Sequence, residues 1–327
     1  MKKIINQPEN VLEEMISGIL RANEEKLERL EDSYVIKQRN LNDQVSLVSG
    51  GGSGHEPSHA GFVGDGMLQA AVCGQVFTSP TTDEVLKAIQ AADTGKGVLL
   101  IIKNYSGDVM NFEMAMEMAE MEDIEVRKVI IDDDIALGED ESEQGKRGVA
   151  GTVLLHKILG AAARKGYSLD ELAELGQAVV DNVNSLGVGL RGATVPEVGK
   201  PGFTLEEDEI EFGIGIHGEA GYKREKLQPS KEMASEMLGK LKEAFNWSDG
   251  DEFALLVNGM GGTPLMEQYI FFNDTLNHLE ADGIQTPFRK VGDYMTSIEM
   301  QGVSLTLLKL QDDWLDLLNE DVDTIGW

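Results

Sequence analysis

The sequence contains a single cysteine, Cys73, so no disulfide can form within the chain. Structural disulfides are typical of oxidising compartments, and their absence favours a reducing one. The sequence also lacks any run of 18 apolar residues, and its first residues do not lead into the apolar stretch of a signal peptide. We therefore expect a cytoplasmic protein that does not span a membrane.

Basic residues are scarce relative to acidic ones. The chain has 28 Lys and Arg against 58 Asp and Glu, a formal net charge of −30. Such a surface repels the phosphates of nucleic acids and of anionic lipids, so we expect neither as a partner. The 41% of hydrophobic residues in 327 is enough for a sizeable core, and the length suits two domains.

Several motifs that bind cofactors or metals are missing. There is no Gly-x-x-x-x-Gly-Lys-Ser/Thr phosphate loop, and no paired cysteines or His-x-x-x-His for zinc. The segments Gly187–Gly192 and Gly213–Gly218 match the bare dinucleotide pattern, but neither lies in a convincing strand–loop–helix unit. Asp132–Asp134 is interpreted as a solvated run at a strand end. We therefore predict no metal and no cofactor in this chain.

Short apolar runs alternate with helical patterns, which is typical of α/β layers. The runs are rich in β-branched and aliphatic residues and indicate strands buried on both faces. Two capping boxes, Thr81-x-x-Glu84 and Ser168-x-x-Glu171, predict the starts of two helices. A further helix is predicted near the N-terminus, from Pro8 to about Leu30. The predicted strands are Val45–Val48, Gly97–Ile102, Val126–Ile131, Phe212–Ile216 and Phe253–Val257.

A domain boundary is indicated where glycine and proline crowd together, around residues 183–200. We predict an α/β fold of two domains with mostly buried central sheets, residues 1–185 and residues 186–327. In open α/β sheets ligands bind beyond the carboxyl ends of the strands. The active site is therefore expected at strand carboxyl ends between the two domains.

Three loops after predicted strands carry reactive side chains: Gly50–Pro57 with His55, Lys103–Asp108, and Gly213–Glu219 with His217. Each also has a plain structural interpretation. Either histidine could be a half-buried structural residue, Asp108 could be a helix N-cap, and Lys103 could reach solvent along its stem. Glycines let backbone approach a ligand, so the loops together suit a small polar organic molecule. A fourth loop, Asn258–Pro264, is assigned a structural role.

These motifs resemble the dihydroxyacetone kinases over nearly the whole chain. The likeness rests on five segments that occur in the same order: Gly50–Gly61 (GGGSGHEPSHAG), Val76–Pro80 (VFTSP), Lys103–Phe112 (KNYSGDVMNF), Arg147–Thr152 (RGVAGT) and Gly215–Glu219 (GIHGE).

The resemblance implies a covalent substrate site. In that family the histidine that matches His217 adds through a ring nitrogen to the keto carbon of dihydroxyacetone and gives a hemiaminal. A neutral imidazole is a nucleophile and a carbonyl carbon is an electrophile, so glycerol, which has no carbonyl, cannot be captured in this way. The covalent bond would also fix the terminal hydroxyl for in-line attack.

The resemblance implies roles for other residues as well. His55 and Asp108 are expected to contact the substrate hydroxyls and to act as acid and base, and which of them takes the proton stays open. The remaining expected contacts to substrate oxygens come from a lysine and from backbone, namely Lys103, Gly52, Ser53 and Gly54.

The resemblance also implies partners. In the ATP-dependent members a helical nucleotide-binding domain follows this region, whereas this sequence stops at Trp327. It therefore resembles the separate substrate subunit of the phosphotransferase-system type. There the donor is ADP, with Mg, on a second helical subunit that a phosphocarrier subunit recharges. The family subunits form homodimers.

Two alternatives remain at this point. One is a non-catalytic paralogue that senses dihydroxyacetone and activates a transcriptional regulator. The other is a generic α/β metabolite-binding protein, which the density of motifs disfavours. Intact His55 and Asp108 favour catalysis, and the range of short carbonyl substrates stays open.

Overall fold

The computed structural model describes residues 2–136 and 145–327. The chain forms two six-stranded sheets, each flanked by helices. This is the mixed α/β architecture with buried central sheets that the sequence predicts. No helix in the described ranges has the length and apolar character needed to cross a bilayer.

The first sheet has a parallel centre and an antiparallel edge. Its order is β1-β2-β4-β3-β5-β6; the last four of these strands are parallel, and β1 and β2 pair antiparallel at the edge. Every residue of β5 is buried, as the unbroken apolar run predicts. The strands are β1 Leu27–Arg29, β2 Val35–Gln38, β3 Ser46–Ser53, β4 Ala70–Val76, β5 Val98–Lys103 and β6 Val126–Ile131.

Five helices accompany the first sheet. The Thr81 hydroxyl accepts a hydrogen bond from Glu84 N, and Ser168 with Glu171 forms a complete capping box, so both predicted helix starts are correct. The first helix ends at Ala22, not near Leu30, because the chain turns into β1 and pairs with β2. The helices are α1 Val11–Ala22, α2 Thr82–Ala92, α3 Ser106–Glu120, α4 Gly151–Arg164 and α5 Leu169–Val180.

The second sheet is mostly antiparallel. Its order is β11-β10-β12-β7-β8-β9, and only β10 and β11 run parallel. The elements are β7 Val183–Arg191, β8 Glu209–Phe212, β9 Lys223–Lys226, α6 Ser230–Phe245, β10 Glu252–Gly259, α7 Leu265–Ala281, β11 Gln285–Gly292, β12 Gln301–Lys309 and α8 Trp314–Asn319. The proposed division after residue 185 falls inside β7 and stays a prediction.

The strand predicted at Phe212–Ile216 is wrong except for its first residue, because the observed strand β8 is Glu209–Phe212. β8 stops at Phe212, and Gly213 adopts a positive φ of 80° that an L side chain would resist. Gly213 N donates to Gly187 O at 2.7 Å and anchors the turn to β7. The chain after Gly213 is therefore a loop, and this loop carries His217.

α4 joins the two sheets through one core. Every residue from Gly151 to Ala163 is buried, and the same apolar cluster contains Leu155 of α4, Leu47 of β3 and Leu256 of β10. Gly160 permits this packing, since a Cβ there would lie 2.2 Å from Gly66 O. Because α4 packs against both sheets, it fixes where the loops of one sheet lie relative to the loops of the other.

The acidic run at the end of β6 is not solvated, contrary to the sequence interpretation. Asp133 is 1% exposed and Asp134 is 3% exposed. The Asp133 carboxylate accepts hydrogen bonds from Val149 N and Gly151 N, each at 2.8 Å, and from the Ser185 hydroxyl. Burial raises the pKa of Asp133, while these hydrogen bonds lower it. The carboxylate ties the start of α4 to β7.

Replacing Asp133 with alanine should lower the free energy of unfolding by about 3 kcal/mol, because three buried donors lose their acceptor. Denaturant unfolding measures the change. Glu174→Ala, which removes an exposed carboxylate from α5, is the control and should change stability by less than about 0.5 kcal/mol. Equal effects in the two variants would contradict the structural role of Asp133.

Candidate active site

Three segments bring the reactive side chains together. β3 leads into His55, β5 ends at Lys103 just before α3, and the loop after β8 carries His217. His55 Nε2 lies 3.1 Å from His217 Nε2. The ring of Tyr105 connects the two halves of the site, with its centroid 4.7 Å from that of His217 and 5.9 Å from Lys103 Nζ.

The glycines around His55 are required by close packing. Gly50–Ser53 continues β3 as a strand and is not the loop expected from sequence. A Cβ on Gly51 would lie 2.3 Å from Lys103 Nζ, and one on Gly52 would lie 2.6 Å from Thr78 N. Gly54 has a φ of 106°, and its Cβ would meet the ring of Phe77 at 2.8 Å. Larger residues would displace the lysine and the ring that face the site.

His55 is fully buried, and its tautomer follows from its partner. Its Nδ1 lies 2.7 Å from the carbonyl oxygen of Thr296, which can only accept, so Nδ1 carries the hydrogen. Burial lowers the pKa of His55 well below the ordinary value, the charges of His217 and Lys103 lower it further, and the bond to Thr296 opposes them. His55 is therefore neutral and its Nε2 presents a lone pair.

His217 is fixed in the same way by Glu219. Its Nδ1 lies 2.9 Å from Glu219 Oε1, and its backbone N–H donates to Glu219 Oε2 at 2.9 Å. Burial would raise the pKa of Glu219, but the bond to His217, the charge of His217 and the charge of Arg147 lower it to about 2. Since an ionised carboxylate only accepts, His217 Nδ1 carries a hydrogen, and in the neutral ring the lone pair is therefore on Nε2.

The two Nε2 atoms therefore face each other with lone pairs unless a proton lies between them. His55 donates its Nδ1–H to Thr296 O, and His217 donates its Nδ1–H to Glu219. At 3.1 Å, two neutral rings in these tautomers cannot hydrogen-bond to each other. An electrophilic carbon bonded to His217 Nε2 would remove this opposition and leave His55 Nε2 as an acceptor beside it.

The loop that carries His217 and Glu219 is held by a residue from the first half of the chain, Arg147. Arg147 donates from Nε to Asp134 at 2.8 Å and from Nη2 to Gly213 O at 2.8 Å. A Cβ on Gly215 would lie 2.1 Å from Glu219 Oε2 and 2.7 Å from Arg147 Nη1, so the two groups flank the same point. Arg147 thus fixes the base of the loop that carries His217.

Lys103 and Asp108 form a buried ion pair. Their side chains are 1% and 5% exposed, and Lys103 Nζ lies 3.6 Å from Asp108 Oδ2. Asp108 Oδ1 is buried and has no hydrogen-bond partner among the described residues. The N-cap interpretation of Asp108 is wrong, because Tyr105 occupies the N-cap of α3 and Asp108 lies within the first turn. The free oxygen of Asp108 is available to a ligand hydroxyl.

Two of the expected substrate contacts already have partners within the protein. The Ser53 hydroxyl donates to Gly74 O at 2.7 Å, and Gly54 N donates to Glu56 Oε1 at 3.0 Å. Burial raises the pKa of Glu56, and hydrogen bonds from backbone N–H groups lower it. A ligand that used Gly54 N would have to displace the Glu56 carboxylate.

Aromatic rings surround His217. Phe77 stacks on His55 at 5.0 Å and meets His217 edge-on at 5.1 Å, and Tyr105 meets His217 edge-on from its own side. The imidazole of His217 is held in one orientation, although its side chain is 23% exposed. His217 is therefore the most exposed of the reactive side chains, since His55, Lys103 and Asp108 are buried.

The sequence reasoning assigned no role to several residues of this site. Glu219 and Arg147 lie in the quoted motifs, and Phe77 and Tyr105 follow or join strands, but none was given a function. An acid two residues after a histidine, with a glycine between, was the available signal for Glu219. No signal in the sequence places Arg147 beside it, because 72 positions separate the two residues.

A family model described as the Dak1 domain matches residues 17–326. A dihydroxyacetone-binding subunit of a PTS-dependent dihydroxyacetone kinase from Lactococcus lactis is 58% identical, over 100% of this chain and 99% of that protein. The DhaKLM operon coactivator DhaQ of Lactococcus lactis is 44% identical, over 99% of this chain and all of that one. The dihydroxyacetone kinase of C. freundii superposes with a TM-score of 0.89 at 36% identity, covering all of this chain and 60% of that one.

The assigned tautomers predict a specific spectrum. Long-range proton–nitrogen correlation of histidine-labelled protein should show His55 as the neutral Nδ1–H form in the free state at neutral pH, and His217 with a hydrogen on Nδ1. His55 should stay neutral as the pH falls through 6.5, because burial lowers its pKa. His55→Asn and His217→Asn assign the signals. An Nε2–H form of both rings would contradict the assignment.

Proposed function

Because the chain belongs to the Dak1 family of dihydroxyacetone kinases, we propose that it is the dihydroxyacetone-binding subunit of a phosphoenolpyruvate- and phosphotransferase-dependent kinase. The observation that carries the proposal is the His217 imidazole, whose Nδ1–H is bound by Glu219 and whose Nε2 is left as a nucleophile. The relatives named above include a subunit with this activity at 58% identity over the whole chain.

The first chemical step forms the bond to the substrate. The lone pair of His217 Nε2 attacks the keto carbon, and the π electrons of the carbonyl move to its oxygen. The ring becomes positively charged and is stabilised by the Glu219 carboxylate at 2.9 Å. The Nδ1 proton leaves through the Glu219 carboxylate to solvent and the new alkoxide takes one proton from solvent, so that Glu219 is ionised again at the end. The net reaction adds an N–H across the C=O bond, without any oxidant or reductant.

The covalent bond selects the substrate by its chemistry. Glycerol has the same carbon chain and similar hydroxyls, and noncovalent contacts alone discriminate poorly between such small molecules. Only a carbonyl compound can form the bond to Nε2. The aromatic rings of Phe77 and Tyr105 hold the imidazole so that this bond has one direction.

Phosphoryl transfer then needs a positioned hydroxyl and an acceptor for its proton. A triose on His217 lies beside His55 Nε2, which is 3.1 Å from the nucleophilic nitrogen and presents a lone pair. Asp108 offers a buried oxygen, and Lys103 offers a positive charge for substrate oxygens. ADP with Mg on the helical partner subunit would relay the phosphoryl group from the phosphocarrier subunit, giving dihydroxyacetone phosphate.

The proposal extends to the domains, the location and the oligomeric state of the subunit. We assign residues 1–185 to an N-terminal and residues 186–327 to a C-terminal α/β domain, with the site between them. The subunit would act in the cytoplasm as a homodimer. His55 and Asp108 come from the first region and His217 from the second, so the site needs both.

The alternative is a sensor like the coactivator DhaQ, which is 44% identical. A sensor needs to capture the ketone but has no use for a proton acceptor near the hydroxyl. The presence of His55 Nε2 and of the free Asp108 oxygen beside the site favours the kinase.

Loss of the imidazole should abolish the covalent adduct. With dihydroxyacetone labelled with ¹³C at the keto carbon, the wild type should show a broad protein-bound resonance of a tetrahedral carbon, because the keto carbon becomes sp³ in the hemiaminal. His217→Ala should lose it completely, and His278→Ala, which changes a histidine on α7, should retain it. A wild-type spectrum with only free ketone and hydrate would sink the proposal.

Turnover should separate capture from catalysis. With the ADP-loaded helical subunit, the phosphocarriers and phosphoenolpyruvate, Asp108→Asn and His55→Asn should keep the adduct and lower kcat. The variant that removes the proton acceptor should lose about a hundredfold or more.

The pH profile then identifies that acceptor as the residue whose loss abolishes the acid limb. Two results would favour the sensor instead: an unchanged kcat in both variants, or a wild type that forms the adduct but does not turn over.

A further inference from the structure

The outer face of α3 carries apolar side chains that the proposed reaction does not use. Met110 is 58% exposed and Met114 is 49% exposed, one helical turn apart. They border a hollow of about 390 Å³ whose lining includes Ser106, Val109, Met110, Glu113, Met114 and Glu117. We refer to Met110, Met114 and this hollow as the α3 patch.

The α3 patch begins where the site opens. Tyr105 is the N-cap of α3 and its ring contacts His217, the most exposed of the reactive side chains. Asn104 and Ser106, on either side of Tyr105, both line the hollow. Asp108 and Lys103 are buried behind them. A molecule that reaches His217 from the side of α3 therefore meets both Tyr105 and the patch.

The proposed reaction fixes how far such a partner must reach. In-line transfer needs the donor phosphorus about 3–3.5 Å from the substrate hydroxyl, so the protein that carries the donor must cover the open side of the site. A stable interface buries about 800 Å² per partner, a disc of roughly 16 Å radius. With a rise of about 1.5 Å per residue, Met110 and Met114 lie about 8 and about 14 Å along α3 from Tyr105, and Met121 about 24 Å. The first two fall inside this disc and the third falls outside.

Resting on the proposed function, we propose that the α3 patch docks the subunit that carries the nucleotide. Its complementary face has an apolar centre with a basic rim. Exposed methionines suit such a contact, because their flexible side chains adapt to a partner and they are enriched in interfaces. Glu117 gives the hollow an acidic border, which attracts lysine or arginine, whereas Glu113 is already paired with Lys128.

A second apolar face competes for this role. Leu265, Met266, Tyr269 and Ile270 of α7 are each at least 50% exposed. The N-cap residue of α3, Tyr105, contacts His217 directly, and the hollow beside α3 includes the residues on either side of Tyr105. The α3 patch is therefore continuous with the site, which is why we prefer it to the α7 face.

The test measures the concentration of ADP-loaded helical subunit that gives half-maximal turnover of the complete system. Met110→Lys/Met114→Lys should raise it by about tenfold or more, since it places two positive charges against a basic, apolar partner. The uncharged pair Met110→Ala/Met114→Ala should raise it less, by about threefold. Met121→Lys, the same change on the same helix beyond the disc, should stay within about twofold.

The labelled-ketone adduct should be unchanged in all these variants, which separates docking from substrate capture. Absence of the adduct and of turnover in the wild type would remove the proposed function and the docking site with it. Given an active wild type, four results would each overturn the docking site alone. They are an unaltered double variant, an equal effect of Met121→Lys, a larger effect of Tyr269→Lys on α7, and a change in oligomeric state of the double variant without the partner.

Discussion

The site depends on the acceptors to which two imidazoles, His55 and His217, donate their Nδ1 hydrogens. A neutral imidazole has one N–H and one lone pair, and the partner of one nitrogen decides what the other can do. Thr296 O takes the hydrogen of His55, and Glu219 takes that of His217. When both rings are neutral, two lone pairs are thereby brought to 3.1 Å. This arrangement is reactive towards an electrophilic carbon.

That arrangement is held from a distance. Glu219 belongs to the loop after β8, and the base of this loop is held by Arg147, which is paired with Asp134 at the end of β6. Burial raises the pKa of Asp134 to about 6, against the opposing charge of Arg147. Asp133, the neighbour of Asp134, fastens α4 and β7. The short acidic segment after β6 therefore connects the packing of the two sheets with the orientation of the nucleophile.

A second pair of histidines, His59 and His156, is buried in the same core. His59 Nδ1 lies 3.0 Å from His156 Nε2, and burial lowers the pKa of His156 to about 3. His156 was predicted from its apolar helix to be a core residue, and it is fully buried. Both rings stay neutral, because the charge of Lys103 nearby adds to the effect of burial. The positive charge in this region is thus confined to the lysine that faces the site.

The sequence by itself determined the α/β class, the capped starts of α2 and α5, the buried β5 and the family, because each is written in local residue patterns. It also singled out His55, Lys103, Asp108 and His217, since reactive residues beside glycines at strand ends stand out along a chain. The comparisons confirm the family.

Only the tertiary structure decided the rest. The run Asp132–Asp134 reads as a solvated strand end, yet Asp133 and Asp134 are buried, because their partners Val149, Ser185 and Arg147 come from distant segments. In the same way, no local pattern tells which nitrogen of His55 is free, because its hydrogen-bond partner Thr296 O lies 241 positions away in the sequence. Hydrogen-bond partners far apart in sequence fix protonation and tautomer, and a linear pattern does not contain their distances.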